Sequence, residues 1–205
     1  SLIGPLGSLI TSKAKAVVCM PDSGSLNLQL PPRCRILIIG SGAAGLTAAV
    51  MAAEAGIKDI VVLEKEPIVG GSSIISGGQW AVSETELQRR NGILDTDSIF
   101  YADMLRIGKN RNDPQLVKKL IQVSREQYNW VLEHGVAPLA LSAASGMSRP
   151  RAHTFDAVAV MNLLLRMAAR HNIPIITGAR ATELLMSNGT VHGLSLIHIS
   201  EPTRR

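Results

Sequence analysis

Gly40, Gly42 and Gly45 stand at the spacing with which a backbone cradles a pyrophosphate, and Glu64 stands where an acid would meet the adjoining ribose. Each glycine has its own task. Gly40 permits a tight turn out of a strand, Gly42 lets a phosphate approach the main chain without meeting a Cβ, and Gly45 lets a helix pack closely on a sheet. Ser41, Ala43 and Ala44 complete the turn. Glu64, followed by Lys65, would accept hydrogen bonds from two ribose hydroxyls, and its charge would repel a 2′-phosphate, which disfavours NADP. The chemistry these residues offer is the binding of a dinucleotide.

Such residues work only if particular elements position them. The apolar run Ile36 to Ile39 reads as a buried parallel strand, Leu46 to Ala55 as the helix that crosses back over it, and Val61-Val62-Leu63-Glu64 as the next strand. The helix N-terminus supplies N–H groups and a positive dipole end for phosphates. A glycine turn alone is common; this setting makes it specific. A second glycine-rich stretch follows, with Gly70, Gly71, Ser72, Ser73, Ser76, Gly77 and Gly78. An NAD domain has no need of it. FAD is longer, and its ribityl chain and ring require further close backbone approach and hydroxyl donors. FAD is therefore the predicted cofactor, with an NAD-linked dehydrogenase as the alternative.

Taken together, Gly40-Ser41-Gly42-Ala43-Ala44-Gly45, Glu64-Lys65, Gly70-Gly71-Ser72-Ser73 and Ser76-Gly77-Gly78 resemble a family of flavoproteins. It is that of fumarate reductase and succinate dehydrogenase flavoprotein subunits, flavocytochrome c and 3-ketosteroid dehydrogenases. Asn112-Asp113-Pro114-Gln115-Leu116 resembles the family's Asp-Pro-x-Leu helix start, and Arg151-Ala152-His153 its Arg-x-His segment. Ala179 to Leu184, including Ala181, resembles the strand whose backbone faces the adenine. The resemblance covers residues 33 to 193. It implies hydride transfer between flavin and a carbon of an activated C–C or C=C bond in a small-molecule substrate. It also implies a capping domain beginning after Gly193, so that the capping domain is missing here and the catalytic residues are unknown.

The chain departs from the family in two places. Members that attach FAD covalently carry a histidine just before the glycine-serine segment, whereas positions 70 to 78 contain none, so FAD is expected to be non-covalent. After His153 the chain reads Thr154-Phe155-Asp156 in place of the family's Thr-Gly pair. Arg151 and His153 are the only side chains left for a role near the ring; we read both as fixing a loop through backbone hydrogen bonds, rather than Arg151 offsetting negative charge on reduced flavin or substrate.

Both ends differ in character from the middle. Residues 194 to 204 resemble the direct translation of a transposase adapter used in sequencing libraries, so residues 194–205 are set apart from the fold. Residues 1–32 read as a leader or as a signal-peptide remnant with its small-x-small site at Ala14-Lys15-Ala16. The second reading implies an exported, periplasmic protein and the first a cytoplasmic one.

The rest of the chain sets limits. The net charge of +5 is spread along the sequence with few aromatics, which speaks for a solvated surface rather than nucleic acid. Arg106, Lys109, Arg111, Lys118 and Lys119 form the densest basic group, an ordinary polar helix face or a docking patch for an electron-transfer partner. No run is long enough to span a membrane. The two cysteines and five histidines show no ligand spacing, so no metal is expected.

Helices are predicted over Asp95 to Gly108, Pro114 to His134 and Asp156 to His171, with Asp113 capping the second and Pro114 at its first position. On that second helix Val117, Leu120, Ile121, Ser124, Tyr128, Val131 and Leu132 share one face. Tyr128 and Trp130 read as packing residues, and Met161 and Met167 as core filler. A strand is predicted over Ile173 to Thr177, and Asn188-Gly189 signals a hairpin. The expected fold is thus α/β, a Rossmann-like FAD-binding domain with a parallel sheet and a helical insertion. Its first part is residues 33–80, the mainly helical insertion 81–150, and the second part 151–193. The parent reads as an FAD-dependent oxidoreductase, and the residues given as a cofactor-binding module without turnover.

Overall fold

Short apolar runs bounded by glycine and proline become strands here, and longer amphipathic ones become helices. The computed structural model describes residues 16–19 and 33–198. Its first elements are β1 (Ala16–Cys19), β2 (Arg33–Cys34), β3 (Ile36–Ile39), α1 (Ala43–Glu54), β4 (Ile60–Leu63), α2 (Gly71–Ile74) and β5 (Gln79–Ala81). Three helices follow, α3 (Glu86–Arg90), α4 (Asp97–Ile107) and α5 (Pro114–Glu133). The chain then forms β6 (Ala140–Ser142), β7 (Ala152–Thr154), α6 (Ala157–Arg170), β8 (Ile175–Ile176), β9 (Ala179–Ser187) and β10 (Thr190–His198).

The described residues form two compact units, one of those up to Gly71 together with Leu164 to His198, the other of Ser72–Leu163. The first unit contains a parallel sheet in the order β3-β4-β8, with Ile36 opposite Ile60 and Val62 opposite Ile175. Its central strand β4 is buried along its whole length, and α1 buries Leu46, Ala49 and Val50. This is the strand-turn-helix-strand order that the apolar runs predicted. A second sheet, in the order β2-β1-β10-β9, shares a core with it through Cys34, Val61, Leu63, Ala179, Leu194 and Leu196. Asn188 and Gly189 both take positive φ, 49° and 74°, and turn β9 back into β10 as a two-residue hairpin requires.

Strand β10 continues through the segment likened to an adapter as far as His198, because Leu194 and Leu196 alternate inward while Ile197 faces out. Residues 199–205 lie outside the described residues. So does the predicted leader, except for β1, which pairs in parallel with Gly193 to Ser195.

The second unit holds an antiparallel sheet, β5-β7-β6, and the helices α3 to α5. These three-residue strands tie Gln79–Ala81 and Ala152–Thr154 to the helical segment, which is why the unit reaches beyond the residues 81–150 expected for the insertion. Asp113 caps α5 by accepting from the N–H groups of Gln115 and Leu116. Val117, Ile121, Tyr128 and Val131 are buried as predicted, but Leu120 is 52 % exposed. It lies about 60° off the centre of the stripe, at its edge, by the helical period. Tyr128 packs edge-on to Trp80, Phe155 and His153, and Trp130 lies over His134 with ring centres 4.1 Å apart. Met161 and Met167 are both buried on α6. Among the described residues no helix is long and apolar enough to cross a membrane.

Candidate cofactor site

The site in the first unit starts at the C-terminal end of β3, where an open parallel sheet takes its ligands. Gly40 has φ of +99° and donates its N–H to the Leu63 carbonyl at 2.7 Å, which locks the turn to β4. Gly42 is the N-cap of α1 and has no side chain to cap it, and no acid stands in the helix's first turn; the Glu64 carboxylate meets the N–H of Ser41 just ahead of it. Ala43 and Ala44 form the first helical positions. A Cβ on Gly45 would collide with the Gly40 carbonyl oxygen and lie 3.3 Å from the Ile38 Cγ2. Helix and strand thus meet at a distance only glycine allows.

Glu64 ends β4 and is buried together with Ser41. One carboxylate oxygen accepts from the Ser41 N–H at 2.9 Å and the Ser41 hydroxyl at 2.6 Å; the other accepts from the Glu66 N–H at 2.9 Å. Burial by itself would raise the Glu64 pKa, but the hydrogen bonds from Glu66, Ser41 and Lys65 outweigh it and hold the carboxyl below its ordinary value. The Lys65 side chain is exposed and pairs with Glu66 at 3.5 Å. The Ser41 hydroxyl also accepts from the N–H of buried Gly70, which has φ of +113°. Gly71 takes φ of +49° and opens α2, and a Cβ there would lie 3.8 Å from the Gly42 Cα. Strand β9 begins beside this acid, since Ala179 donates to the Glu64 carbonyl at 2.8 Å. Ala181 then pairs with Leu196 and packs half-buried against the shared core. The structure therefore brings Gly40, Ser41, Gly42, Gly45, Glu64 and Gly70 together.

A cavity of about 570 Å³ in the same unit lies at the opposite ends of the strands, lined by Cys34, Ile57, Asp59, Ile60, Arg170 and Pro174. Volume alone would point to the wrong end of the sheet.

In the second unit Ser72 is exposed, and Ser76 spends its hydroxyl locally, donating to the Ser73 carbonyl and accepting from Gly78 N–H. Gly77 has open space around it. Gly78, with φ of +66°, accepts from the Phe155 N–H at 2.9 Å, and a Cβ on it would collide with the Phe155 carbonyl. The end of β7 thus sets the position of this glycine turn.

Behind β7 lies a buried polar network that the sequence did not disclose. Arg151 is fully buried and forks onto Asp95 with bonds of 2.9 and 2.8 Å, while its third nitrogen meets Asp103 at 2.7 Å. Its guanidinium carbon sits 4.8 Å from the Phe100 ring centre. His153 is also fully buried, with Nδ1 on the Arg151 carbonyl and Nε2 against the Thr85 hydroxyl, both at 2.9 Å. Gln88 joins Asp95, Thr85 and the Pro150 carbonyl. Every donor or acceptor on the Arg151 and His153 side chains faces protein. They fix a loop, as expected, but Arg151 does so through buried carboxylates rather than through backbone groups.

These groups make stability pH-dependent. Burial holds the His153 pKa below its ordinary 6.5, against opposing bonds from Arg151 and Trp80. Burial would raise Asp103, yet bonds from Arg106, Ser148 and Arg151 hold it far below its ordinary 3.8. All three shifts, including that of Glu64, are downward, so each contribution is present above the unfolded pKa and lost as pH falls. The urea midpoint is expected to drop first below pH 6.5, as unfolded His153 gains a proton that the folded ring resists, and again below pH 4.5 as carboxylates protonate. A midpoint constant from pH 7 to pH 4 would contradict this.

The sequence pattern of a family described as "FAD binding domain" matches residues 35–205. The chain belongs to that family. FAD is accordingly its cofactor, and the helix N-terminus at Gly42, the glycine turn and the buried anionic Glu64 fit the pyrophosphate and ribose of that molecule. The FAD-binding chain is 31 % identical over 173 residues to the NADH:fumarate oxidoreductase of Klebsiella pneumoniae, covering 82 % of itself and 19 % of that protein. It is 32 % identical over 165 residues to the fumarate reductase (cytochrome) of Shewanella frigidimarina, covering 78 % of itself and 29 % of that protein. Among solved structures it is similar to the open conformation of a flavocytochrome c3 fumarate reductase, with a TM-score of 0.71 at 25 % identity. That likeness covers 80 % of this chain and 31 % of the other. The FAD-binding chain thus spans less than a third of the length of either of these two relatives. Among the described residues no group of His, Cys, Asp and Glu is placed to hold a metal ion.

Proposed function

We propose that this chain is the FAD-holding part of an oxidoreductase that passes hydride between non-covalent FAD and a carbon of an activated C–C or C=C bond. The observation that carries the reading is the pairing of a glycine-capped helix N-terminus at Gly42 with a buried, anionic Glu64 at the end of the next strand. When bound, FAD supplies the hydride-carrying ring; the chain's own residues bind and orient it. Gly40 to Gly45 would take the pyrophosphate, Glu64 the ribose, Ala181 the adenine side, and Gly70 to Gly78 the ribityl end. With no histidine in positions 70 to 78, nothing in that segment offers a nitrogen for covalent attachment.

The relatives named as fumarate reductases support a small carboxylic acid as substrate class and an electron-transfer partner. Residues 33–80 and 151–193 would be the two cofactor-binding parts, 81–150 the insertion and 194–205 adapter-derived. The short span against the relatives supports a companion reading, in which the chain by itself binds FAD without turnover.

The purified chain is expected to be yellow and to release all its flavin on denaturation. Glu64→Ala should weaken FAD binding by about 1.5–3 kcal/mol, as for a lost hydrogen bond to a charged acceptor. Gly42→Val should abolish it, because its side chain would stand where the phosphates approach. A colourless protein that binds NAD would overturn the reading.

A further inference from the structure

We propose that Ser41 is a positioning residue for the cofactor, whose buried hydroxyl ties the Glu64 carboxylate to the Gly70 main chain and so holds both in place before FAD arrives. The inference rests on the reading of Gly40 to Gly78 as the FAD site. Ser41 is 0 % exposed. It acts through the two groups it joins. Its proton goes to Glu64 at 2.6 Å, and an oxygen lone pair takes the Gly70 N–H at 3.2 Å. Its own N–H reaches the same Glu64 oxygen at 2.9 Å, so backbone and side chain grip the acid together.

The span of this bridge gives it its importance. Glu64 lies 23 residues from Ser41 and Gly70 lies 29, so one hydroxyl joins the first glycine turn, the end of β4 and the second glycine segment. Alanine at position 41 would leave a buried N–H without its partner and take one donor from the acid. Both loops would then sample arrangements that do not bind. Apparent affinity falls with the fraction of molecules in the competent state, so a population reduced to about one in ten weakens binding about tenfold.

The test is FAD titration of the full chain, stripped of flavin, in the wild type and in Ser41→Ala, Ser41→Thr, Ser41→Cys, Glu64→Ala, Gly42→Val and the Ser41→Ala/Glu64→Ala pair. Ser41→Ala is expected to raise the Kd about tenfold, by the population argument. Threonine keeps the hydroxyl and should restore most of the affinity; cysteine, a weak donor of similar size, should fall between. In the Glu64→Ala background the Ser41→Ala factor should shrink, since part of the bridge is already gone. Wild-type affinity in both Ser41→Ala and Ser41→Cys, or equal factors in the two backgrounds, would overturn the proposal. If the wild type fails to take FAD, or Gly42→Val takes it normally, the site reading falls and this proposal with it. A binding wild type, a dead Gly42→Val and an unaffected Ser41→Ala would sink the Ser41 role alone.

Discussion

Arg151→Met is expected to destabilise the chain by about 3–5 kcal/mol, the range found when one partner is removed from a buried ion pair. Arg151 and Asp95 are both fully buried in their side chains, and Asp103 nearly so. Without the guanidinium, Asp95 keeps bonds from Gln88 and the Thr96 N–H but no cation, deep in the second unit. Asp103 suffers less, because Arg106 and Ser148 still hold it. The mutation should therefore act mainly through Asp95, and Arg151→Met combined with Asp95→Leu should be less unstable than Arg151→Met alone. That sign is the sharper test, since removing both charges relieves an uncompensated burial that removing one creates. Domains of this size hold only about 5–15 kcal/mol in all, so the single mutant loses a large share of its stability. On the proposed reading of Gly70 to Gly78 as the ribityl end, flavin retention should fall with it, because β7 positions Gly78 through Phe155. Urea unfolding would settle the matter: a loss below about 1 kcal/mol, the worth of a surface pair, would contradict the account.

The contrast between this network and the glycine turn shows what a sequence displays. Gly40 to Gly45 are local: a strand, a turn and a helix start within one short window, each marked by residue type, and the structure gives Gly40 and Gly45 the roles their spacing implied. Asp113-Pro114 and Asn188-Gly189 were equally readable, because caps and two-residue turns are short-range chemistry. Arg151 meets Asp95 across 56 residues and Asp103 across 48, and no period or motif links them. Asp95 reads as a helix start and Asp103 as one more polar helix residue; only the fold makes them counterions. Strands β5, β6 and β7 escaped notice for another reason. Three residues are too few to show alternation, so the segment around α3 to α5 reads as helical throughout. Ser41 lies inside the motif, yet its type is usually taken as filler between glycines. Its use appears only when Gly70 is seen to return to it.

The second large effect is expected at Gly45, where two opposing terms decide the sign. Glycine inside a helix is unfavourable by about 0.5–1 kcal/mol relative to alanine, so propensity alone predicts that Gly45→Ala stabilises the chain. The added Cβ, however, would overlap the Gly40 carbonyl oxygen, which is backbone and cannot rotate away. Gly40 is in turn held by its bond to Leu63, so relief requires α1 to move off β3 or the turn to open. Overpacking of side chains costs about 1–3 kcal/mol, and a clash with fixed main chain belongs at or above the upper end of that range. The clash therefore outweighs the gain, and Gly45→Ala should lose about 2 kcal/mol or more in urea unfolding along with most of its FAD binding. Gly42→Val offers the matching control. Its extended backbone, with φ of −70° and ψ of −179°, accepts a branched residue, so that variant should lose no more than the roughly 1 kcal/mol of a poorer N-cap while losing the cofactor. A Gly45→Ala chain as stable as the wild type would mean that α1 and β3 do not need their close approach. A Gly42→Val chain that unfolds early would mean that the turn serves the fold before it serves FAD.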